Sequence, residues 1–151
     1  MSMDASELLS RSGIDGVVGE ISTELCWKAL ESTTLGRLAV AIDDEIHIFP
    51  INYAVDGAKI YFRTAAGSKL LALKEQPQVA LEIDAFDDDA AYSVVVKGTA
   101  AWVETPTEVA AADALKLTAW LPTLKLRWVR IWPNEVTGRV FHRGTEPNPY
   151  V

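Results

Sequence analysis

Apolar and polar positions alternate most regularly from Glu45 to Val55. His47, Phe49, Ile51, Tyr53 and Val55 share one face there, and Ile48, Pro50, Asn52 and Ala54 share the other. A period of two marks a strand whose two faces meet different surroundings. Asp56-Gly57 follows, a two-residue hairpin signal because glycine accepts φ > 0 and Asp tolerates it; Ala58 to Arg63 reads as the return strand. Strands are also expected over Leu35 to Ile42, Val79 to Asp84 and Tyr92 to Val103, with Asp43-Asp44 as a turn. Two last strands, Leu124 to Trp132 and Val136 to Arg143, are expected on either side of a turn at Pro133-Asn134.

Between these strands the period changes. Ser22 can cap a helix through about Glu31, with Leu25, Ala29 and Leu30 as its apolar stripe. Ser68 to Glu75 reads as a helix stopped by Pro77. Thr105-Pro106-Thr107-Glu108 is a capping box with proline at the first helical position, opening an Ala-rich helix to about Leu117. A short helix precedes the joint Ser12 to Gly16. About seven strands with two or three inserted helices predict a mainly β fold, a closed or nearly closed antiparallel barrel with α-helices. The regular strand–helix alternation of a doubly wound sheet is absent.

The 151 residues fit one domain, with residues 1–20 as an N-terminal arm, 21–145 as the barrel and 146–151 as an extended tail. The formal net charge of −7 argues against general binding to nucleic acid or anionic membranes. Cys26 is the sole cysteine, so no internal disulfide forms, and its place on the apolar stripe predicts a buried, inert thiol. No apolar run reaches the roughly 20 residues that span a bilayer. The N-terminus, with Asp4 and Glu7, lacks a signal-peptide layout, so a cytoplasmic protein is expected. His47 and His142 are far apart in sequence and no metal-ligand spacing stands beside them, so no metal is expected. Asp87-Asp88-Asp89 is expected to be a solvated loop.

Against this acidic background one segment stands out. Ala58 to Lys74 holds Lys59, Arg63, Lys69 and Lys74 and no acid. A strand ends at Arg63, a loop with Gly67 follows, and a helix is expected near Ser68. A helix N-terminus offers unpaired N–H groups and about half a positive charge. Gly67 allows close backbone approach, Thr64 and Ser68 add hydroxyls, and Arg63 adds a planar fork. Together they would cradle a phosphate. Lys69 opposes the dipole of its own helix, which a bound dianion would turn into attraction. The residues alone leave a second reading open, in which Ser68 is only a cap and Lys69 only a solvated side chain. Neither a Walker loop nor a Gly-x-Gly-x-x-Gly pattern is present.

The run Ile48-Phe49-Pro50-Ile51-Asn52-Tyr53-Ala54-Val55-Asp56-Gly57, continued by Ile60-Tyr61-Phe62-Arg63-Thr64-Ala65-Ala66-Gly67-Ser68-Lys69-Leu70, resembles the pyridoxamine 5′-phosphate oxidase-like superfamily. It is most similar to the branch with the nitroimidazole-resistance flavoproteins. Gly36 to Ala39 and Ser93 to Gly98 fit as well, and the resemblance spans about residues 20 to 143. It implies an FMN-binding split barrel, a homodimer with two flavins at the subunit interface. It also implies phosphate contacts from Arg63, Thr64, Gly67, Ser68 and Lys69, and flavin-ring contacts from Pro50, Ile51 and Asn52. Trp132 and Arg139 are similar to residues that the family supplies from the partner subunit, although the spacing differs. His47 is a further candidate near the flavin.

The chain departs from the oxidase in lacking basic residues over Ile48 to Tyr53, and from the nitroimidazole branch in carrying Arg63 where histidine is frequent. The resemblance therefore implies a flavin oxidoreductase acting on an unspecified small molecule. The deazaflavin F420 is an alternative cofactor. Non-enzymatic binding of flavin, F420 or haem is an alternative role.

Overall fold

The computed structural model describes residues 3–65, 69–115, 117 and 126–144. Along the chain stand helix α1 (Ala5–Ser12), strand β1 (Val18–Glu20), helix α2 (Thr23–Glu31), strands β2 (Leu35–Ile42), β3 (Glu45–Asp56) and β4 (Lys59–Ala65), a 3₁₀ helix (Lys69–Lys74), strands β5 (Gln78–Phe86) and β6 (Ala90–Trp102), helix α3 (Pro106–Asp113) and strand β7 (Leu126–His142). Every strand pairing is antiparallel. The order β7-β4-β3-β2-β5-β6 returns to β7, so six strands close a barrel. Strand β7 makes this closure possible. Leu126 to Ile131 lie beside β4, Val129 to His142 run along β6, and Arg139 to Phe141 pair with β1.

The inward positions of the strands make the core. Leu38, Tyr53, Ile60, Phe62, Leu81, Val94, Val129 and Ile131 are each fully buried. Helix α1 closes one side by placing Ala5 and Leu8 against this core, and α2 adds Cys26, Ala29 and Leu30. Burial pushes the Cys26 thiol up to about 11, so it is protonated and inert at neutral pH. A smaller cluster of Tyr61, Val103, Ala112 and Trp128 lies on the outer side of β4 and β7, where α3 covers it. No helix among the described residues is long and apolar enough to cross a membrane.

Several expectations hold in detail. Ser22 Oγ accepts from Leu25 N at 3.2 Å, and Thr105 Oγ1 accepts from Glu108 N at 3.3 Å, as helix caps should. Others need correction. The hairpin loop is Gly57-Ala58, with Gly57 at φ 61°, and Asp56 already pairs with Lys59. The segment Lys69–Lys74 is a six-residue 3₁₀ helix rather than an α-helix. Its i→i+3 bonds align poorly and its dipole is short, so a helix terminus contributes less to any phosphate cradle than expected. Helix α3 stops at Asp113, short of Leu117.

The last two strands are one strand of 17 residues. The register with β6 shifts between Lys97↔Glu135 and Gly98↔Pro133, leaving Asn134 as an extra residue. This bulge accommodates Pro133, whose missing N–H would otherwise break the ladder. Asp87 is not merely solvated. Its carboxylate accepts from the backbone N–H groups of Ser6, Asp89 and Ala90, each within 2.9 Å, tying α1 to the β5–β6 turn.

Candidate functional site

Arg63 stands near the end of β4, opposite Trp128 of β7. It donates through Nη2 to the Leu117 carbonyl, and its guanidinium carbon lies 4.9 Å from the centre of the Trp128 ring. Its Nε is buried and has no hydrogen-bond partner among the described residues. A buried N–H of a cation without an acceptor is costly, which makes it a natural point for an anionic ligand atom.

The neighbouring rungs hold Arg63 in place. Trp128 Nε1 donates to Asp113 Oδ1 at 2.8 Å, so α3 fixes the indole on which Arg63 rests. Tyr61 packs edge-on against the same indole, with ring centres 6.4 Å apart. The Tyr61 hydroxyl donates to Glu108 at 3.0 Å, and Arg130 Nη1 donates to both oxygens of that carboxylate. Burial alone would raise the Glu108 carboxyl, but donation from Arg130 and Tyr61 and the nearby charges of Arg130 and Lys59 hold it below its usual range. Burial and then Glu108 push the Tyr61 hydroxyl up to about 12.

Beside Arg63 lies a groove of about 360 Å³. It runs between the C-terminal end of α2 (Leu30, Glu31), Thr33, Thr34, the β3 residues Asn52 to Val55, and Leu115 and Leu117. Leu117 is the link, since its carbonyl takes the Arg63 hydrogen bond and the residue lines the groove. Asn52 and Ala54 continue the outward face of β3 that begins with Ile46, Ile48 and Pro50. Ile51 is buried and points to the barrel interior, so only its backbone faces a ligand on this side.

Leu117 thus links Arg63 and Asn52, accepting from Arg63 through its carbonyl and lining the same groove as Asn52, with Thr64 next to Arg63 along β4. Ala66, Gly67, Ser68 and the Lys69 side chain lie outside the described residues. Trp132 and Arg139 are not near Arg63 in the same chain. Trp132 is four residues beyond Trp128 and is 56% exposed; Arg139 pairs with Glu20 and Ser93 at the far end of β7. His47 stacks on Phe49, with its Nε2 3.6 Å from the Glu45 carboxylate, well along β3 from Asn52.

The cationic segment read along the chain is also divided in space. Lys74 sits 3.7 Å from Glu104, and Lys59 lies over the Trp132 ring. Sequence reasoning missed Leu115, Leu117, Thr33 and Thr34 as groove lining, and Glu108 and Asp113 as braces. The capping box placed α3 without showing which face it covers. No cluster of three or more metal-ligating side chains occurs among the described residues.

A family model described as pyridoxamine 5′-phosphate oxidase matches residues 22–140. The chain belongs to that family. The oxidase-family match covers the whole barrel from α2 to the last part of β7. A Corynebacterium glutamicum structure named after the same oxidase is 42% identical, with a TM-score of 0.77 over 88% of this chain and 100% of that one. The FAD binding protein from Mycobacterium smegmatis is 37% identical, with a TM-score of 0.74 over 83% of this chain and 100% of that one. A Mycobacterium tuberculosis protein is 39% identical over 94 residues, 62% of this chain and 86% of its own length. The family resemblance and the antiparallel split-barrel architecture read from the sequence are both borne out.

Proposed function

We propose that this family member binds a flavin nucleotide and acts as a flavin-dependent oxidoreductase on a small molecule. Arg63, Thr64, Gly67, Ser68 and Lys69 grip the phosphate next to the ribityl chain, and the ring lies along the Pro50 to Asn52 stretch. FMN and FAD share that phosphate; F420 is the alternative with the same attachment. The observation that carries the reading is the buried Nε of Arg63, without a hydrogen-bond partner among the described residues, on a guanidinium that donates to Leu117 of the groove lining. The 37% identity to an FAD binding protein supports a flavin of either length. The flavin would supply the hydride or electron chemistry, while the chain anchors and orients it.

The same reading includes a homodimer. Ile46 and Ile48 are 78% and 67% exposed on β3, and Pro50 and then Asn52 extend that face into the groove. An exposed apolar stripe continuous with a ligand groove fits a second copy that covers the stripe and completes the site. Ile48→Glu should convert a dimer to a monomer by light scattering.

The direct test is a visible spectrum and mass analysis of the molecule that copurifies, followed by titration of the apoprotein with FMN, FAD and F420. Lys69→Glu should abolish flavin binding and leave the apo melting curve unchanged. Arg63→Met should weaken binding roughly ten- to hundred-fold, the worth of one charge-assisted hydrogen bond. Failure of all three cofactors to bind overturns the reading. Binding without turnover by NAD(P)H or reduced F420 and an electron acceptor would leave a carrier or sensor in place of an enzyme.

A further inference from the structure

The outer face of β4 and β7 carries paired cations and aromatics: Tyr61 opposite Arg130, and Arg63 opposite Trp128. One rung further toward the β3–β4 hairpin, Lys59 Nζ lies 5.5 Å from the centre of the Trp132 ring. Helix α3 braces the two inner rungs through Glu108 and Asp113. The Lys59–Trp132 rung instead opens onto a hollow of about 420 Å³. Thr23 and Trp27 of α2 and the bulge residues Pro133, Asn134 and Glu135 complete its walls. The hollow shares no lining residue with the Asn52–Leu117 groove, and the two use opposite ends of α2.

Two features of this hollow point to a ligand. Trp132 is 56% exposed, and a second tryptophan, Trp27, also lines the hollow. Lys59 and Glu135 bring opposite charges to the walls, yet neither forms an ion pair with the other or with any described residue. A volume of about 300–1,000 Å³, apolar walls and a few polar groups are the usual makings of a small-molecule site. Indole faces suit a planar ring, and Lys59 suits a carboxylate. A net anion would approach against a protein charge of −7, whereas a zwitterion would not, and Glu135 supplies a partner for its cationic end.

We propose that this hollow is a second small-molecule site, for a planar aromatic carrying both a carboxylate and an ammonium group, as an aromatic amino acid does. The ring rests against Trp132 and Trp27, the carboxylate meets Lys59 and the ammonium meets Glu135. Of the residues that the family resemblance implies for the flavin, this site uses only Trp132, and it shares no lining residue with the Asn52–Leu117 groove.

Calorimetric titration of the full chain with L-tryptophan, its methyl ester and its N-acetyl derivative tests the assignment. The free amino acid should bind at least ten-fold tighter than either blocked form. Lys59→Met should erase discrimination against the ester only, and Glu135→Gln discrimination against the N-acetyl form only. Both residues are on the surface of the hollow, so the crossover does not depend on a core change. Trp132→Ala should remove binding of all three, and saturating FMN should leave the affinities unchanged. Absence of binding, equal affinity for the three compounds, or variants that weaken all three alike would overturn the proposal. Displacement by FMN would overturn the separateness of the site.

Discussion

Tyr53→Phe isolates one hydrogen bond at the wall of the Asn52–Leu117 groove. Tyr53 is 0% exposed, and its hydroxyl donates to the Leu30 carbonyl at 2.7 Å. Leu30 belongs to the last turn of α2, where backbone carbonyls have no partner within the helix. Ser32 N serves the carbonyls of Lys28 and Ala29, and Tyr53 serves Leu30. Phenylalanine keeps the ring and its packing but removes the donor, leaving a buried carbonyl unsatisfied. That costs about 1–3 kcal/mol. A central value of about 2 kcal/mol lowers the melting temperature of a chain this size by about 4–8 °C. Burial pushes the hydroxyl above its usual range, so it stays protonated and the deficit should not change between neutral and mildly alkaline pH. Differential scanning calorimetry of both proteins is the assay. An unchanged melting temperature would refute the reasoning, because it would mean that water from the adjoining groove already serves Leu30.

Gly98→Ala should destabilise by about 1–3 kcal/mol in urea unfolding, since its Cβ would stand 2.5 Å from the Trp132 carbonyl oxygen and 3.1 Å from Pro133 Cα, both backbone atoms. Gly144→Ala, with nothing within 4 Å, should change stability by less than about 0.5 kcal/mol and serves as the control. Asp87→Asn should flatten the acid limb of the stability curve. Hydrogen bonds from Ser6, Asp89 and Ala90 lower the Asp87 carboxyl from 3.8 to about 2, so its contribution is present above pH 3.8 and is lost as pH falls through about 2. Identical acid limbs for wild type and variant would show that these bonds do not couple to folding.

The strands were legible where their two faces meet different surroundings. β3 is the clear case, because Phe49, Ile51 and Tyr53 turn inward while Ile46, Ile48 and Pro50 turn out. The same logic failed at Pro133, where a missing N–H reads as a break. The strand continues because a bulge absorbs Asn134, and the bulge is fixed by the close approach of Gly98 from β6. Strand β1 was invisible for a similar reason. Three residues carry no period, and their partners at Arg139 to Phe141 lie at the other end of the chain. Asp87 read as a solvated acid since its Ser6 partner is 81 positions away.

The site shows the same division between local and distant information. Charge alone singled out Arg63, because four cations and no acids in 17 positions is conspicuous in a chain of net charge −7. Charge alone grouped Lys59 with Arg63, and there it misled. Both residues are on β4 and point to the same side, but Arg63 lies on an indole held by Asp113 of α3, whereas Lys59 lies on an open one. The difference comes from where α3 begins. Its last residue, Asp113, reaches Trp128, Glu108 in its first turn reaches Arg130, and Trp132 lies one rung beyond Arg130. Two neighbouring cation–aromatic pairs therefore have different capacities. The inner one is braced against its surroundings and can present a guanidinium N–H to a ligand at little further cost in ordering. The outer one keeps its indole exposed, at 56% for Trp132, with Lys59 half-buried above it.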